Sequence, residues 1–288
     1  MNILIAIILG LVQGLCEFLP VSSSGHLVLL QNVFGVEENS LFFTIMLHAG
    51  TLVAVVVAYR AQLWGMIKAF FASFGLLFKG EWQRLRAHVR TDEMKKIWLL
   101  ILATLVTVAM ALVFRDVIDD SYEGKYLGFG FIVTAALLFL LNFTGKGSCD
   151  LRGMKWYKAL GVGAIQGIAI LPGISRSGAT IAGASYMGLK REAAAEFSFL
   201  LSVPAILGSL VLELPDAVRA GAGSIDWLSV AVGTLVAAVS GYFAVRLMIK
   251  LIVNRKLNVF AFYTLILGLL VLLDQFVFNL VFSNPFAA

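Results

Sequence analysis

Charge is what this sequence has least of: only 14% of its 288 residues are Asp, Glu, Lys or Arg, about half of what a soluble domain carries. So few charges cannot cover a water-facing surface. The 60% of residues that are apolar must therefore mostly face lipid or buried helices. Cysteine is nearly absent too, and the different settings of Cys16, in an apolar run, and Cys149, in a basic loop, argue against a structural disulfide. No His/Cys cluster has zinc-site spacing and no P-loop lysine occurs, which disfavours zinc hydrolysis and ATP use. The first apolar run continues through Gln13 and Glu17 with no A-x-A-like site, against its removal as a secretory signal.

What is present is a set of long apolar runs, at about 41–59, 96–114, 126–143, 193–213, 228–248 and 259–282. Each is long enough to cross a hydrocarbon core of about 30 Å. The loops between them alternate in charge. Arg60, Lys68, Lys79, Arg84, Arg86, Arg90, Lys95 and Lys96 fill one, and further basic groups follow at 146–158, 190–191 and 246–256. The alternate loops hold Glu37, Glu38, Asp116, Asp119, Asp120, Glu123, Glu213, Asp216 and Asp226, with few basic residues. The positive-inside rule places the first set in the cytoplasm and the second outside. This accounts for the net charge of +5 without any nucleic acid. The basic 61–95 stretch, with Phe70, Phe71, Phe74 and Trp82, is expected to lie along the anionic inner leaflet.

Two apolar segments, 3–34 and 159–188, are broken by Pro20 and Pro172 amid Ser and Gly, and each begins and ends in loops of one charge character. They read as re-entrant helix–loop–helix hairpins from opposite faces, because irregular backbone at membrane depth survives only where protein or trapped water satisfies it. The two also resemble each other. Gln13, Gly14, Ser22, Ser24 and Gly25 recur without a gap as Gln166, Gly167, Ser175, Ser177 and Gly178, and a Leu-Pro pair marks both breaks. Three spans follow each hairpin. The expectation is an all-α polytopic membrane protein, a single membrane domain over 1–288. It divides into a first repeat at 1–143 and a second, of inverted topology, at 144–288. Matching interrupted segments in two such halves point to a shared central site.

The chemistry of those breaks is specific. Gln13 and Glu17 are one helical turn apart and project from one face toward Pro20. A carboxylate in an apolar segment is costly unless paired or functional; the plain alternative is satisfaction by nearby backbone amides. Ser22, Ser23 and Ser24 precede His26, and one of the three serves as a helix cap. The second break offers Ser175-Arg176-Ser177-Gly178. Arg176 either pairs with Glu17 or presents its fork of donors to a phosphate, and Gly/Ser turns opening helices add backbone amides for the same anion. Where the breaks meet, the site is suited to binding anions and to phosphoryl transfer. His48, Gln166 and Ser202 read as interhelical hydrogen bonds, and His88 as solvated.

At these residues the chain resembles the undecaprenyl-pyrophosphate phosphatases, the bacitracin-resistance family. The segment from Gln13 through Glu17 and Pro20 to His26 is similar to their first signature, Glu/Gln-x-x-x-Glu. Pro172-Gly-Ile-Ser-Arg-Ser-Gly-Ala-Thr180 is similar to their second, Pro-Gly-x-Ser-Arg-Ser-x-x-Thr. The resemblance implies hydrolysis of undecaprenyl pyrophosphate to the monophosphate and phosphate, aided by Mg²⁺ or Ca²⁺, on the periplasmic side of the bacterial inner membrane. It implies Glu17 as metal ligand or base, and Ser23, among the hydroxyls of Ser22–Ser24, as nucleophile. His26 becomes the acid/base imidazole, and Ser175, Arg176, Ser177 and Thr180 the phosphate-binding motif. Gln13 stands where many members carry Glu, which removes one possible carboxylate. Direct attack by water, with Ser23 only binding, remains open, and so does a homodimer. The implied partners are the lipid substrate and membrane lipids. Inverted repeats with broken helices also typify secondary transporters, so a polyprenyl-phosphate flippase or anion carrier with the same centre is the rival reading.

Overall fold

The computed structural model describes residues 2–36, 40–144, 147–221, 226–253 and 257–282. Among them there is no β-strand, only an isolated bridge between Cys149 and Leu189. The helices are α1 (Ile3–Phe18), α2 (Ser23–Phe34), α3 (Ser40–Ala58), α4 (Arg60–Phe78), α5 (Trp82–His88), α6 (Asp92–Val113) and α7 (Arg115–Ser121), followed by α8 (Leu127–Leu141), α9 (Trp156–Ile168), α10 (Arg176–Tyr186), α11 (Arg191–Gly221), α12 (Trp227–Val253) and α13 (Asn258–Leu273). Six helices are long and apolar enough to cross a membrane, and the protein is an all-α polytopic membrane protein. The sequence-expected spans appear as α3, α6, α8, α11, α12 and α13, although α8, with 15 residues, is only about 22 Å long. The sixth helix of spanning length is α4.

Length alone does not make α4 run with the bundle. Gly65 lies beside Glu93 while Ser73, two turns on, donates to the Met94 sulfur. Both contacts fall on the first turn of α6, so α4 crosses the end of α6 instead of lying alongside it. His88, read from sequence as merely solvated, instead donates through Nε2 to the Ala69 carbonyl at 2.8 Å and ties α5 back onto α4.

Both broken segments fold as helix–break–helix. Leu19 takes an extended conformation (φ −71°, ψ 145°) because a residue before proline is pushed out of the α region, and α1 ends there. The four helices involved have 16, 12, 13 and 11 residues, about 16–24 Å each, too short to span alone. The second pair opens and closes at one end of the molecule: Lys158 at the start of α9 donates to the Met187 carbonyl just after α10. That end also gathers Lys190–Asp150, Arg152–Asp92 and Lys96–Glu196. The first pair opens elsewhere. Ala6 and Leu9 share a core with Phe42, Phe43 and Val230, where α3 and α12 begin.

The halves pack crosswise. The most extensive interface joins α1 to α12, and α9 is matched to α6. Each interface depends on a missing side chain. A Cβ at Gly10 would lie 2.4 Å from the Gly233 carbonyl oxygen, and one at Gly163 would lie 2.3 Å from that of Ala103. Small residues of this kind let helix backbones meet in lipid, where no hydrophobic force drives association. Further cross-half contacts pair α3 with both α12 and α11, α8 with α13 and α10, and α6 with α11.

Candidate active site

The two breaks meet at Ser22. This residue caps α2, its Oγ accepting from the Gly25 amide at 3.3 Å and from the Gly173 amide of the other break at 3.1 Å. Its backbone sits at φ 69°, ψ 95°, a sparsely populated region whose cost is of order 1–3 kcal/mol for a residue with a side chain. Cross-linking the two breaks is what holds it there. Thr134 of α8 pins the second break on its other side, donating to the Gly173 carbonyl and accepting from the Ser175 amide, both at 2.8 Å.

The ungapped correspondence between the segments is visible in these bonds. Ser175 caps α10 as Ser22 caps α2, accepting from Gly178 as Ser22 does from Gly25. The Ser22–Ser24 and Ser175–Ser177 hydroxyl pairs are 3.4 and 3.3 Å apart. The Leu-Pro pairs do not obey this register: Pro20 corresponds to Gly173, and Leu19 to Pro172. The packing agrees, since a Cβ on Gly25 would meet Gly173 and one on Gly178 would meet Pro20.

Glu17 is the hub. Its Oε1 accepts from the Arg176 guanidinium. Its Oε2 accepts from the Ser23 hydroxyl at 2.5 Å and from Gln13 Nε2 at 3.0 Å. The Glu17 side chain is 4% exposed and that of Arg176 18%, so the pair is shielded on the carboxylate side and open on the guanidinium side. Ser23 and Ser24 are likewise partly exposed. The first amides of α2 and α10 have no intrahelical partner, and the cap serines occupy only the third in each case. Together these groups form an anion cradle: guanidinium, hydroxyls and helix N-termini surround one carboxylate.

Not every expected residue faces that cradle. His26 hydrogen-bonds through Nδ1 to the Ser22 carbonyl and through Nε2 to the Tyr263 hydroxyl, each at 2.7 Å, and stacks on the Tyr263 ring. Thr180 is buried against Ser198, with the hydroxyls 2.6 Å apart. Ser177 donates to the Leu19 carbonyl at 3.3 Å, across the halves. Gln166 donates to Thr107, the interhelical bond expected of it, while Ser202 bonds within its own helix.

Two residues at the site were not assigned to it from sequence. His48 brings Nε2 to 3.8 Å from Glu17 Oε2, while its Nδ1 bonds the Thr44 carbonyl at 2.9 Å. Its imidazole in an apolar run was the available signal, and it read equally well as a helix–helix contact. Tyr263 gave no signal at all, being one aromatic residue among many in the last span.

A divalent cation would find few ligands here, because no group of three or more His, Cys, Asp or Glu exists among the described residues. One oxygen stands unused. Gln13 turns its amide nitrogen to Glu17, which leaves Oε1 buried and without a partner. That oxygen and the Glu17 carboxylate fit the sparse protein share of a Mg²⁺ site, in which phosphates and water supply the rest.

Comparisons with known proteins identify relatives of the whole chain. Residues 6–270 match the family described as "Bacitracin resistance protein BacA". The chain is 44% identical to an "Undecaprenyl-diphosphatase" of Carboxydothermus hydrogenoformans, covering 96% of this chain and 98% of the relative. A protein of the same name from Alkaliphilus metalliredigens is 41% identical, with 93% and 97% covered. One from Methanobrevibacter smithii is 40% identical, with 96% and 98% covered.

Proposed function

The chain belongs to the bacitracin resistance protein BacA family, and from that premise we propose that the Glu17–Ser23–Arg176 cluster is where the family's reaction takes place. The protein is an integral membrane phosphatase that hydrolyses undecaprenyl pyrophosphate to undecaprenyl phosphate and phosphate. It thereby returns the lipid carrier of peptidoglycan synthesis, an activity that matches the family's bacitracin resistance.

The observation that carries the site assignment is the 2.5 Å hydrogen bond from Ser23 to Glu17, with Arg176 on the same carboxylate. The pyrophosphate docks on Arg176, Ser24 and the amides opening α2 and α10. Arg176 turns from Glu17 to the phosphate oxygens and offsets the charge that shifts during transfer. The carboxylate it releases takes the Ser23 proton as Oγ attacks the terminal phosphorus. An Oγ–P bond forms and the bridging P–O bond breaks, so undecaprenyl phosphate leaves with the electron pair. The departing phosphate takes the proton from Glu17, and water, deprotonated by the regenerated carboxylate, then attacks phosphorus and breaks the Oγ–P bond, with Ser23 Oγ taking that proton back as phosphate leaves. Glu17 and the unpartnered Gln13 Oε1 would hold Mg²⁺ or Ca²⁺, which would supply further neutralisation of phosphate charge. Ser22, Ser175 and Ser177 shape the cradle through caps and cross-half bonds, and Thr180 holds α10 against α11. His26, fixed by Tyr263, shapes the wall next to Ser22.

The reading treats 1–143 and 144–288 as inverted repeats of one membrane domain, supported by the crosswise interfaces and the repeated caps. It also places the site toward the periplasm of a bacterial inner membrane. The first hairpin opens at the end where α3 and α12 begin, the end of the acidic loops, and basic loops face the cytoplasm. One chain supplies every group named, so a homodimer is not required.

The test is phosphate release by the purified protein from undecaprenyl or farnesyl pyrophosphate with Mg²⁺. Loss with EDTA, with Glu17→Ala and with Arg176→Ala is expected. Unchanged release by either variant would remove the assignment, and a rapid-quench search for phosphoserine at Ser23 decides between attack by serine and by water. Transport of lipid phosphate without phosphate release would favour the flippase reading instead.

A further inference from the structure

A second polar cleft lies at the other end of the fold, among the basic loops. It is a hollow of about 470 Å³ between the first half of α6 and the start of α9, roofed by the turn after α5. Arg90, Lys95 and Lys155 line its mouth, and Trp98, Leu102 and Trp156 its apolar wall. The two tryptophans are 50% and 63% exposed, although each indole could have been buried.

The charge at this mouth is not consumed locally. Carboxylates at this end pair with other cations: Asp92 with Arg152, Asp150 with Lys190, and Glu196 with Lys96. Glu93 lies against Gly65 of α4. Among the described residues Arg90, Lys95 and Lys155 have no carboxylate partner, and Lys95 is held in place by a hydrogen bond to the Arg152 carbonyl. Three cations thus stand over an apolar slot. Below it, the exposed face of α6 continues at seven-residue spacing from Trp98 to Leu105 and Leu112, 60% and 64% exposed. A charged mouth, an aromatic shelf and an apolar track in that order match the profile of one leaflet, headgroup to acyl chain.

We propose that this cleft is a binding site for an anionic glycerophospholipid of the cytoplasmic leaflet, its phosphate on Arg90, Lys95 and Lys155 and an acyl chain along Trp98, Leu105 and Leu112. Charge complementarity selects an anionic headgroup, and the apolar track selects a lipid over a soluble phosphate. The site is separate from the Glu17–Arg176 cluster and does not depend on the role given to that cluster.

The experiment compares lipids retained by the intact protein in nanodiscs of mixed phosphatidylglycerol and phosphatidylcholine. The wild type is set beside Arg90→Gln/Lys155→Gln and beside a control that removes two charges elsewhere on the same end, Arg84→Gln/Arg86→Gln. The wild type is expected to enrich phosphatidylglycerol, and the cleft variant to lose at least about tenfold of that preference with the charge-assisted hydrogen bonds to the phosphate, while the control keeps it. Hydrolysis of farnesyl pyrophosphate, measured in the same preparations, reports that each variant is folded. Equal loss in both variants would mean general surface attraction and overturn the site. Displacement of the lipid by millimolar inorganic phosphate would mean an anion site only, and would overturn the lipid assignment.

Discussion

Glu17→Gln separates binding from chemistry at the candidate site. In the resting protein Arg176 is bound by Glu17, so an arriving pyrophosphate must compete with a carboxylate for the guanidinium. The substitution keeps the side-chain shape, and its amide oxygen still accepts from Ser23. It removes the negative charge and the proton acceptor together. Breaking a buried ion pair costs 3–5 kcal/mol when the remaining charge has nowhere to go. Here Arg176 retains 18% exposure, so hydration cuts the loss to about 1–2 kcal/mol. The released guanidinium favours the incoming anion by about 1.4 kcal/mol, or roughly tenfold tighter binding. Turnover falls by about 10²–10⁴, the usual cost of losing a general base. The assay measures farnesyl pyrophosphate affinity by calorimetry in EDTA, where no cation contributes, and turnover with Mg²⁺. Weaker binding in EDTA would show that Glu17 does not restrain Arg176. Turnover within fivefold of wild type would show that it does not take the Ser23 proton.

Ser23→Ala removes a hydroxyl that donates to the buried Glu17 carboxylate, so stability should fall by about 1.5–3 kcal/mol, while phosphate release drops by at least about 10³. A drop under tenfold would assign the attack to water. Gly10→Ala and Gly163→Ala each drive a Cβ into a backbone carbonyl across a cross-half interface. Each should cost about 1–3 kcal/mol and lower Tm in detergent by several degrees, and unchanged Tm values would contradict the crosswise packing. Tyr263→Phe removes the hydroxyl partner of His26 Nε2 and should shift the pH–rate profile if His26 touches the reaction; an unchanged profile confines His26 to structure. Asp226 begins α12, and the Ser229 hydroxyl and amide that it accepts from hold its carboxyl below the usual carboxylate range. A depressed folded-state value means that its contribution is present above the ordinary carboxylate pKa and disappears as pH falls through the folded value. Asp226→Asn should therefore lower Tm slightly at pH 7 and leave it unchanged in strong acid.

The fold was legible wherever composition and periodicity suffice. Apolar length located α3, α6, α11, α12 and α13, and the proline-broken segments marked both helix–break–helix pairs. Side-chain direction was less accessible. Sequence placed Ser22, Ser23, Ser24 and His26 in one phosphate-facing group, whereas the turn at Ser22 sends the hydroxyls of Ser22 and Ser23 to different partners and carries His26 around to Tyr263. A run of adjacent polar residues at a helix start spreads over the helix circumference, about 100° per residue, so adjacency cannot say which of them share a face. Thr180 differs for another reason: its hydroxyl is taken by the Arg176 carbonyl and by Ser198 of α11, a contact that only the packing of α11 supplies. His48 and Tyr263 come from α3 and α13, far from either motif, and only the packing of whole helices brings them in.

The duplication of the breaks also shows why there is one reacting centre instead of two. The repeat gives each break a cap serine, a second hydroxyl and a glycine that admits the opposite backbone, so both halves carry the frame of an anion site. Among the positions where the copies diverge, three bear on the site: Glu17 aligns with Ile170, Ser23 with Arg176, and Pro20 with Gly173. Only the first break has the carboxylate, and only the second the guanidinium. Ser23 and Arg176, equivalent by position, reach the same Glu17 from opposite halves. The symmetric part is therefore a scaffold that forces two helix starts together, and the asymmetric part divides the proposed nucleophile and the proposed charge neutraliser between them. Neither half alone holds the pair, and Ser22 Oγ on the Gly173 amide sets how far apart they stand.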